Sequence, residues 1–143
     1  GLPIGAFCSS REMMKKFEYK PSLGHISTFA GNPVIASAGL SVLETLENEK
    51  ILEKIKEKEE LIRSLLKHKK IKSINGTGLM LAIILERKSD AEKLVKESMG
   101  RGLILFYLLW NKLAVRITPP LNISNRNLIK GCKIILKILD EMV

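Results

Sequence analysis

Apolar residues recur at a helical spacing in several parts of the chain. In the C-terminal segment they occupy positions 128, 129, 132, 135, 136 and 139, which share one face of a helix. Residues 33–70 are also helical in composition, with small residues early and charged residues late. Shorter helical patterns cover 10–17 and 90–99. The pattern therefore predicts helices in four places.

Polar residues that cap helices precede each of these patterns. Ser, Asn and Asp side chains accept hydrogen bonds from the first free backbone N–H groups of a helix, and Pro33 suits the first helical position. The predicted caps are Ser10, Asn32, Ser89 or Asp90, and Ser124.

Largely apolar stretches indicate strands. The runs are 4–9, 79–85, 103–110 and 112–118, and a further strand is predicted before the glycines at 76 and 78. A tight hairpin near 111–112 would join the last two. After residue 33 the order helix, strand, strand, helix, strand, strand, helix predicts a small α+β domain whose antiparallel sheet is covered by helices.

The segment 18–33 contains Pro21, Gly24, Gly31, Asn32 and Pro33 and has no apolar period. It is expected to be an irregular loop. Loops of this length in compact domains tend to be functional.

Charge and composition narrow the class of protein. Of the 143 residues, 45% are apolar and 27% are charged, as in an ordinary globular protein. No apolar run approaches the roughly 20 residues that span a bilayer, so no membrane partner is expected. The net charge of +9 suggests nucleic-acid binding as one hypothesis. However, the lysines in 50–70 are interleaved with glutamates, which is the pattern of a solvated helix face. A basic nucleic-acid-binding module is the least favoured alternative.

Cys8 and Cys132 are too few and too far apart for a disulfide framework or a zinc site. Both are expected to be buried or half-buried free thiols. The first residues have neither the basic leader nor the apolar core of a signal peptide, which favours a cytoplasmic location.

Four segments, taken in order, resemble the class III aminotransferases that depend on pyridoxal phosphate, of the acetylornithine and ornithine type. They are GLPIGA at 1–6, HISTFAGNP at 25–33, NGTGLMLAI at 75–83 and VRITPPL at 115–121. Their order and spacing are also similar to the family's, so the resemblance covers nearly the whole chain.

The resemblance assigns Thr28 and Ser27 to the phosphate of pyridoxal phosphate, and Thr28 would reach the site of the neighbouring subunit of a homodimer. A hydroxyl beside a glycine turn, followed by the exposed amides and the dipole of a helix N-terminus, suits an anion. The alternative is that Thr28 only stabilises its loop. His25 is interpreted as an ordinary loop histidine.

The resemblance assigns Arg116 to the α-carboxylate of the amino-acid or oxo-acid substrate. A guanidinium in an apolar strand is costly unless it is paired, and its fork matches a carboxylate. The alternative is a structural ion pair with a glutamate elsewhere.

The implied fold is the α/β fold type I of pyridoxal-phosphate-dependent transferases. Residues 1–48 would end the large cofactor domain, and 49–143 would form the small C-terminal α+β domain. The implied function is amino-group transfer between an amino acid or ω-amine and an oxo acid such as 2-oxoglutarate. The alternative is a truncated, non-catalytic remnant that acts only in binding or dimerisation.

Two departures from the family pattern matter. Asn75 stands where the family usually carries an arginine. The family's Schiff-base lysine precedes the segment that matches 1–6, so no residue of this chain is assigned as the catalytic lysine. The chain by itself is therefore expected to be inactive.

Overall fold

The computed structural model describes residues 1–20 and 26–142. His25 lies outside the described residues. The chain divides into two units, residues 1–50 and 51–143.

The helices of the first unit begin at capping residues. α1 spans Arg11–Met14 and continues as a 3-10 turn over Lys15–Phe17, and α2 spans Pro33–Asn48. The Met13 N–H donates to Ser10 Oγ at 3.3 Å. Asn32 Oδ1 accepts from the N–H groups of Val34 and Ile35 at 3.0 and 3.2 Å. These contacts confirm both predicted caps.

The strand predicted over 4–9 does not form. The reason is that the described part of 1–50 contains no strand that could pair with it. No described residue of this unit is buried, and α2 has no buried face.

The second unit is a four-stranded antiparallel sheet with three helices, which confirms the predicted small α+β fold. The helices are α3 at Ile55–Leu65, α4 at Lys88–Gly100 and α5 at Asn125–Asp140. The strands are β1 at Ile71–Thr77, β2 at Met80–Leu85, β3 at Phe106–Tyr107 and β4 at Ala114–Ile117. Their order in the sheet is β1-β2-β4-β3.

One face of the sheet lies in the core of this unit. Four of the six apolar positions predicted for α5 are buried in this core. The helix is capped by Ser124, whose hydroxyl oxygen accepts from the Asn127 N–H at 3.3 Å. The fully buried apolar side chains of the core include Ile62, Leu81, Ile83, Leu85, Leu94, Val115, Ile138 and Leu139. We call the opposite side of the sheet, which carries Asn75, Ala82, Phe106 and Arg116, the open face.

Several predicted boundaries are wrong. The long helix predicted over 33–70 ends at Asn48, and Lys50 has a left-handed backbone with φ 50°. α4 begins at Lys88 without a side-chain cap, so neither Ser89 nor Asp90 caps it. Asp90 is buried and forms ion pairs with Arg87 and Lys70 at 3.1 and 3.6 Å. Its carboxylate therefore binds these basic side chains and does not cap the helix.

Glu59 and Arg63 of α3 hold the turn between β1 and β2. Arg63 donates to the carbonyl oxygens of Ile74 and Gly76 at 2.7 and 2.8 Å, and to Glu59 Oε1 at 2.9 Å. Glu59 Oε2 accepts from the Gly78 N–H at 2.6 Å. The Gly78 amide and the Arg63 guanidinium lower the pKa of Glu59. We call this pair the Glu59–Arg63 clamp.

The thiols differ in exposure. Cys132 is a buried free thiol, as predicted, whereas Cys8 is exposed, because the segment around it has no core to enter. Burial raises the pKa of Cys132 to about 11.

Positive charge is concentrated in the second unit. Residues 1–50 contain five basic and five acidic side chains, so the excess of nine positive charges lies in 51–143. Lysines of α4 pair with glutamates one turn away, as Lys88 does with Glu92 at 3.1 Å. Along α5, a row of basic side chains has no ion-pair partner among the described residues; the row is Arg126, Lys130, Lys133 and Lys137. No helix in the described part of the chain is long and apolar enough to cross a membrane.

Candidate functional site

Arg116 projects from β4 onto the open face of the sheet. It is exposed, while its neighbours Val115 and Ile117 point into the core. Its guanidinium carbon lies 5.0 Å from the ring centroid of Phe106, the residue directly opposite it on β3. A cation at this distance from an aromatic ring is attracted by the negative face of the ring.

Arg116 has no ion pair and no side-chain hydrogen bond within the described residues. The alternative of a structural ion pair with a glutamate therefore has no support in the described part of this chain. The ring of Phe106 takes none of the N–H donors of the guanidinium, so no described residue occupies the planar fork, whose geometry matches a carboxylate in a bidentate manner.

A row of residues crosses the open face at the level of Arg116. The antiparallel register places Asn75 opposite Ala82, Ala82 opposite Arg116, and Arg116 opposite Phe106. Neighbouring strands lie about 4.8 Å apart, so the row leaves only a methyl group between Arg116 and Asn75. Around Arg116 this row contributes aromatic, methyl and carboxamide groups, without a competing negative charge.

Thr28 and Ser27 lie at a turn just before α2, in the first unit. Residues 28–31 form the turn, and Gly31 has a φ of 69°. The Ala30 N–H donates to the Ser27 carbonyl at 3.0 Å. The Thr28 hydroxyl makes no hydrogen bond to the described residues.

The helix amides next to this turn are not free, in contrast to the sequence interpretation. Pro33 has no N–H, and the N–H groups of Val34 and Ile35 donate to Asn32. A good N-cap competes with an external anion for the same donors. In the described part of this turn the available donors are the two hydroxyls and the N–H groups of Phe29 and Gly31, with the dipole of α2 behind them.

The two predicted sites lie in different units, with Thr28 and Ser27 in one and Arg116 in the other. A cluster of three or more His, Cys, Asp or Glu side chains that could hold a metal ion is absent from residues 1–20 and 26–142. The described residues of the turn offer hydroxyl and N–H donors, and the strand offers a guanidinium, which are groups that suit the binding of anions.

Comparison with known proteins matches these features to one family. The family described as Aminotransferase class-III matches residues 1–139. An acetylornithine aminotransferase of Caldanaerobacter subterraneus subsp. tengcongensis is 32% identical over 147 residues, covering 99% of this chain and 36% of that protein. A leucine/methionine racemase of Thermococcus litoralis is 35% identical over 153 residues, covering 92% of this chain and 31% of that protein.

The fold also matches a solved structure of the same kind. The crystal structure of acetylornithine aminotransferase from Elizabethkingia anophelis superposes with a TM-score of 0.75 and 29% sequence identity, over 87% of this chain and 34% of that one. The chain belongs to the class III aminotransferase family, whose members use pyridoxal phosphate. It spans about a third of the length of the curated relatives that it matches.

Proposed function

We propose that the protein containing this chain is a pyridoxal-phosphate-dependent aminotransferase. It transfers an amino group between an amino acid or ω-amine of the acetylornithine or ornithine kind and an oxo acid such as 2-oxoglutarate. The observation that carries this proposal is the guanidinium of Arg116 on the open face, which forms no ion pair with the described residues, within a family match over nearly the whole chain.

The cofactor phosphate is assigned to Thr28 and Ser27. Their hydroxyls are exposed at a turn ahead of α2, and the turn amides of Phe29 and Gly31 add further donors, so the residues present fit an anion. Pyridoxal phosphate, when bound, supplies the electron sink and carries the amino group. The family's catalytic lysine is proposed to lie upstream of Gly1.

The substrate carboxylate is assigned to Arg116. Two parallel N–H···O bonds fix the orientation of a carboxylate as well as its position. Orientation matters because a reacting group that is misplaced by about 1 Å can lose a hundredfold in rate. Arg116 thus binds and orients the substrate and does not itself move a proton, because an arginine keeps its proton in proteins.

The proposed assembly is a cytoplasmic homodimer in which Thr28 reaches the cofactor of the neighbouring subunit. The exposed apolar residues of the first unit call for cover by further protein, either the rest of the proposed large domain or a neighbouring subunit; they include Leu2, Ile4, Phe7, Met13, Phe17 and Leu43.

The test uses the full-length protein loaded with pyridoxal phosphate. Amino transfer from N-acetylornithine and from ornithine to 2-oxoglutarate is followed by the glutamate formed. We expect Arg116→Ala to lower kcat/KM about 10- to 100-fold, because hydrogen bonds between charged groups are lost. Arg126→Ala removes an equal charge from α5 and serves as the matched control, with unchanged kinetics.

Other outcomes decide between the alternatives. Racemisation of leucine without glutamate formation would assign the protein to the reaction of its racemase relative. If neither reaction occurs while the protein still forms dimers, the non-catalytic reading replaces the aminotransferase proposal.

A further inference from the structure

We propose that the tip of the hairpin between β3 and β4 docks on the part of the protein that precedes Gly1. The tip consists of Leu109 and Trp110, and its partner is an apolar surface on that upstream part of the same polypeptide. This inference rests on the proposal that the chain belongs to a longer protein. It goes beyond the proposed reaction, because it assigns a contact between two parts of the molecule.

The two side chains of the tip are almost fully exposed. Trp110 is 96% exposed and Leu109 is 88% exposed, more than any other large apolar side chain in the described part of the chain. Turn residues are usually Gly, Pro, Asn, Asp or Ser, because these residues suit the backbone of a turn. A leucine beside a tryptophan at such a place leaves a large apolar surface in water, which favours cover by another surface.

The backbone of the tip is held by hydrogen bonds. The Asn111 side-chain oxygen accepts from the Leu113 N–H at 3.0 Å, and the Asn111 carbonyl accepts from the Ala114 N–H at 3.1 Å. Before the tip, β3 is joined to α4, since the Tyr107 hydroxyl donates to the Glu92 carbonyl at 3.2 Å. The apolar side chains are thus presented on an ordered backbone, so less conformational freedom is lost when a partner covers them.

The core of the second unit does not use the tip. Its cluster of buried apolar side chains includes neither Leu109 nor Trp110. The cover that these two residues need therefore comes from a surface outside this core.

Charge argues against a second copy of the same surface as the partner. A groove between α4 and the hairpin, beside the tip, is lined by four lysines and two glutamates; they are Lys88, Lys93, Lys96 and Lys112 with Glu92 and Glu97. The second unit as a whole carries all nine excess positive charges. Two copies of this surface would therefore repel each other.

The upstream part of the same polypeptide is the partner that the length of the protein favours. The chain spans about a third of its relatives' length, so most of the proposed protein lies outside it. A segment of the same polypeptide is also tethered to the hairpin, which gives it a high effective concentration at the tip.

The first test compares solvent access to Trp110 in the full-length holoprotein and in the 143-residue chain, where it is the only tryptophan. Fluorotryptophan gives one fluorine resonance for each tryptophan, and the resonance that is lost in Trp110→Phe belongs to this residue. We expect a soluble paramagnetic chelate to broaden this resonance strongly in the 143-residue chain and little in the full-length protein. Equal broadening in both proteins would overturn the inference.

The second test identifies the partner by cross-linking. Trp110 is replaced by the photoreactive residue benzoylphenylalanine, and the full-length protein is assembled from a mixture of light and heavy isotope-labelled subunits. Cross-links within one polypeptide join two light or two heavy peptides. We expect such pairs, with the second peptide from the sequence upstream of Gly1. Pairs of one light and one heavy peptide would assign the tip to the neighbouring subunit and reject the proposal.

The third test is stability. Trp110→Ala should lower the melting temperature of the full-length protein by a few degrees and leave that of the 143-residue chain unchanged, because only the longer protein loses a contact. Trp110→Phe keeps most of the apolar surface and is the matched variant, with a smaller loss. A full-length Trp110→Ala that melts with the wild type would contradict the docking.

The inference and the proposed reaction fail separately. A full-length protein that forms glutamate from 2-oxoglutarate while Trp110 stays accessible rejects the docking and leaves the reaction in place. A protein that forms no glutamate while Trp110 is protected and cross-links upstream of Gly1 rejects the reaction and leaves the docking in place.

Discussion

Gly76 adopts a backbone conformation that a side chain cannot share at this place. Its φ is 106°, and a Cβ atom there would lie 2.1 Å from the backbone carbonyl oxygen of Met80. Real Cβ atoms do not approach an oxygen so closely, and the obstacle is backbone that cannot rotate away. The end of β1, where it pairs with the start of β2, therefore depends on glycine at this residue.

Gly76→Ala is expected to lower the free energy of unfolding of the second unit by about 3 kcal/mol, from backbone strain and displacement of the turn. Urea unfolding followed by circular dichroism measures the change. Gly100→Ala is the control, since its Cβ would meet nothing within 4 Å, and it should change stability by about 1 kcal/mol or less. Equal midpoints for the two variants would contradict the prediction.

The two cysteines are expected to react differently with a thiolate-specific alkylating reagent. At pH 8 the exposed Cys8 should be modified in the folded chain, whereas Cys132 should resist until denaturant is added.

Burial raises the pKa of Cys132 to about 11, so between pH 9 and 11 the unfolded chain loses a proton that the folded chain keeps. Stability should therefore fall as the pH rises through this window. Cys132→Ala should remove that slope and Cys8→Ala should not; mass spectrometry and unfolding curves check both.

Individual site residues were predictable to different extents. Arg116 and Thr28 could be located in the sequence because each lies in a short motif with its own local signal. Phe106 could not be singled out, because its contact depends on the register of β3 against β4. The apolar run 103–110 gives no indication that only two of its residues would pair.

At the scale of elements, β1 is an edge strand whose outer side is partly hydrogen-bonded by a side chain of α3. Edge strands present unpaired carbonyl and N–H groups that can pair with another chain. Arg63 donates to two of the β1 carbonyls, and Glu59 accepts from the turn that follows. The Glu59–Arg63 clamp thus joins α3 to the edge of the sheet and discourages association between sheets.

Stability in acid should depend on Glu59. Its pKa is lowered in the folded chain by the Gly78 amide and Arg63, so its contribution is present above pH 4.5 and is lost as the pH falls through the folded pKa. Glu59→Gln should be less stable at pH 7 and should show a weaker dependence of stability on pH below 4.5. Glu60→Gln, at the exposed neighbouring position, is the control, and thermal unfolding at pH 3 to 7 distinguishes the two.

Element boundaries were predictable where the signal is local. Ser10, Asn32 and Ser124 cap their helices as expected, because a cap needs only the next three residues. The cap expected at Ser89 or Asp90 fails because Asp90 is drawn into a buried ion pair with Lys70. The end of α2 at Asn48 could not be predicted in this way, because no glycine or proline follows it in the sequence.

At the scale of the whole molecule, burial is uneven. The described residues of the first unit include no buried side chain, whereas the second unit encloses a core between its helices and its sheet. The order of helices and strands along the chain predicted the α+β class of the second unit, and β1 with β2 and β3 with β4 are neighbours both in sequence and in the sheet, whereas the pairing of β2 with β4 does not follow from sequence order. The same order could not predict that residues 4–9 form no strand, because a strand requires a partner strand with which to pair.

Hydrogen exchange in the 143-residue chain should follow this division. We expect amides of β2, β4 and α5 to exchange slowly and those of 4–20 and α2 to exchange much faster, because a helix of 16 residues without a buried face is marginal in water. Mass spectrometry of peptides from the exchanging chain measures both units at once. Uniformly slow exchange over residues 4–20 in a monomer would contradict this expectation.

The uneven charge of the chain has a consequence for the rate of encounter with reactants. All nine excess positive charges belong to the second unit. A uniform field of this sign attracts anions over about 10 Å at ordinary ionic strength, well before any contact forms. Small dianions would thus meet the surface of this unit faster than neutral molecules of equal size, and added salt would remove the difference.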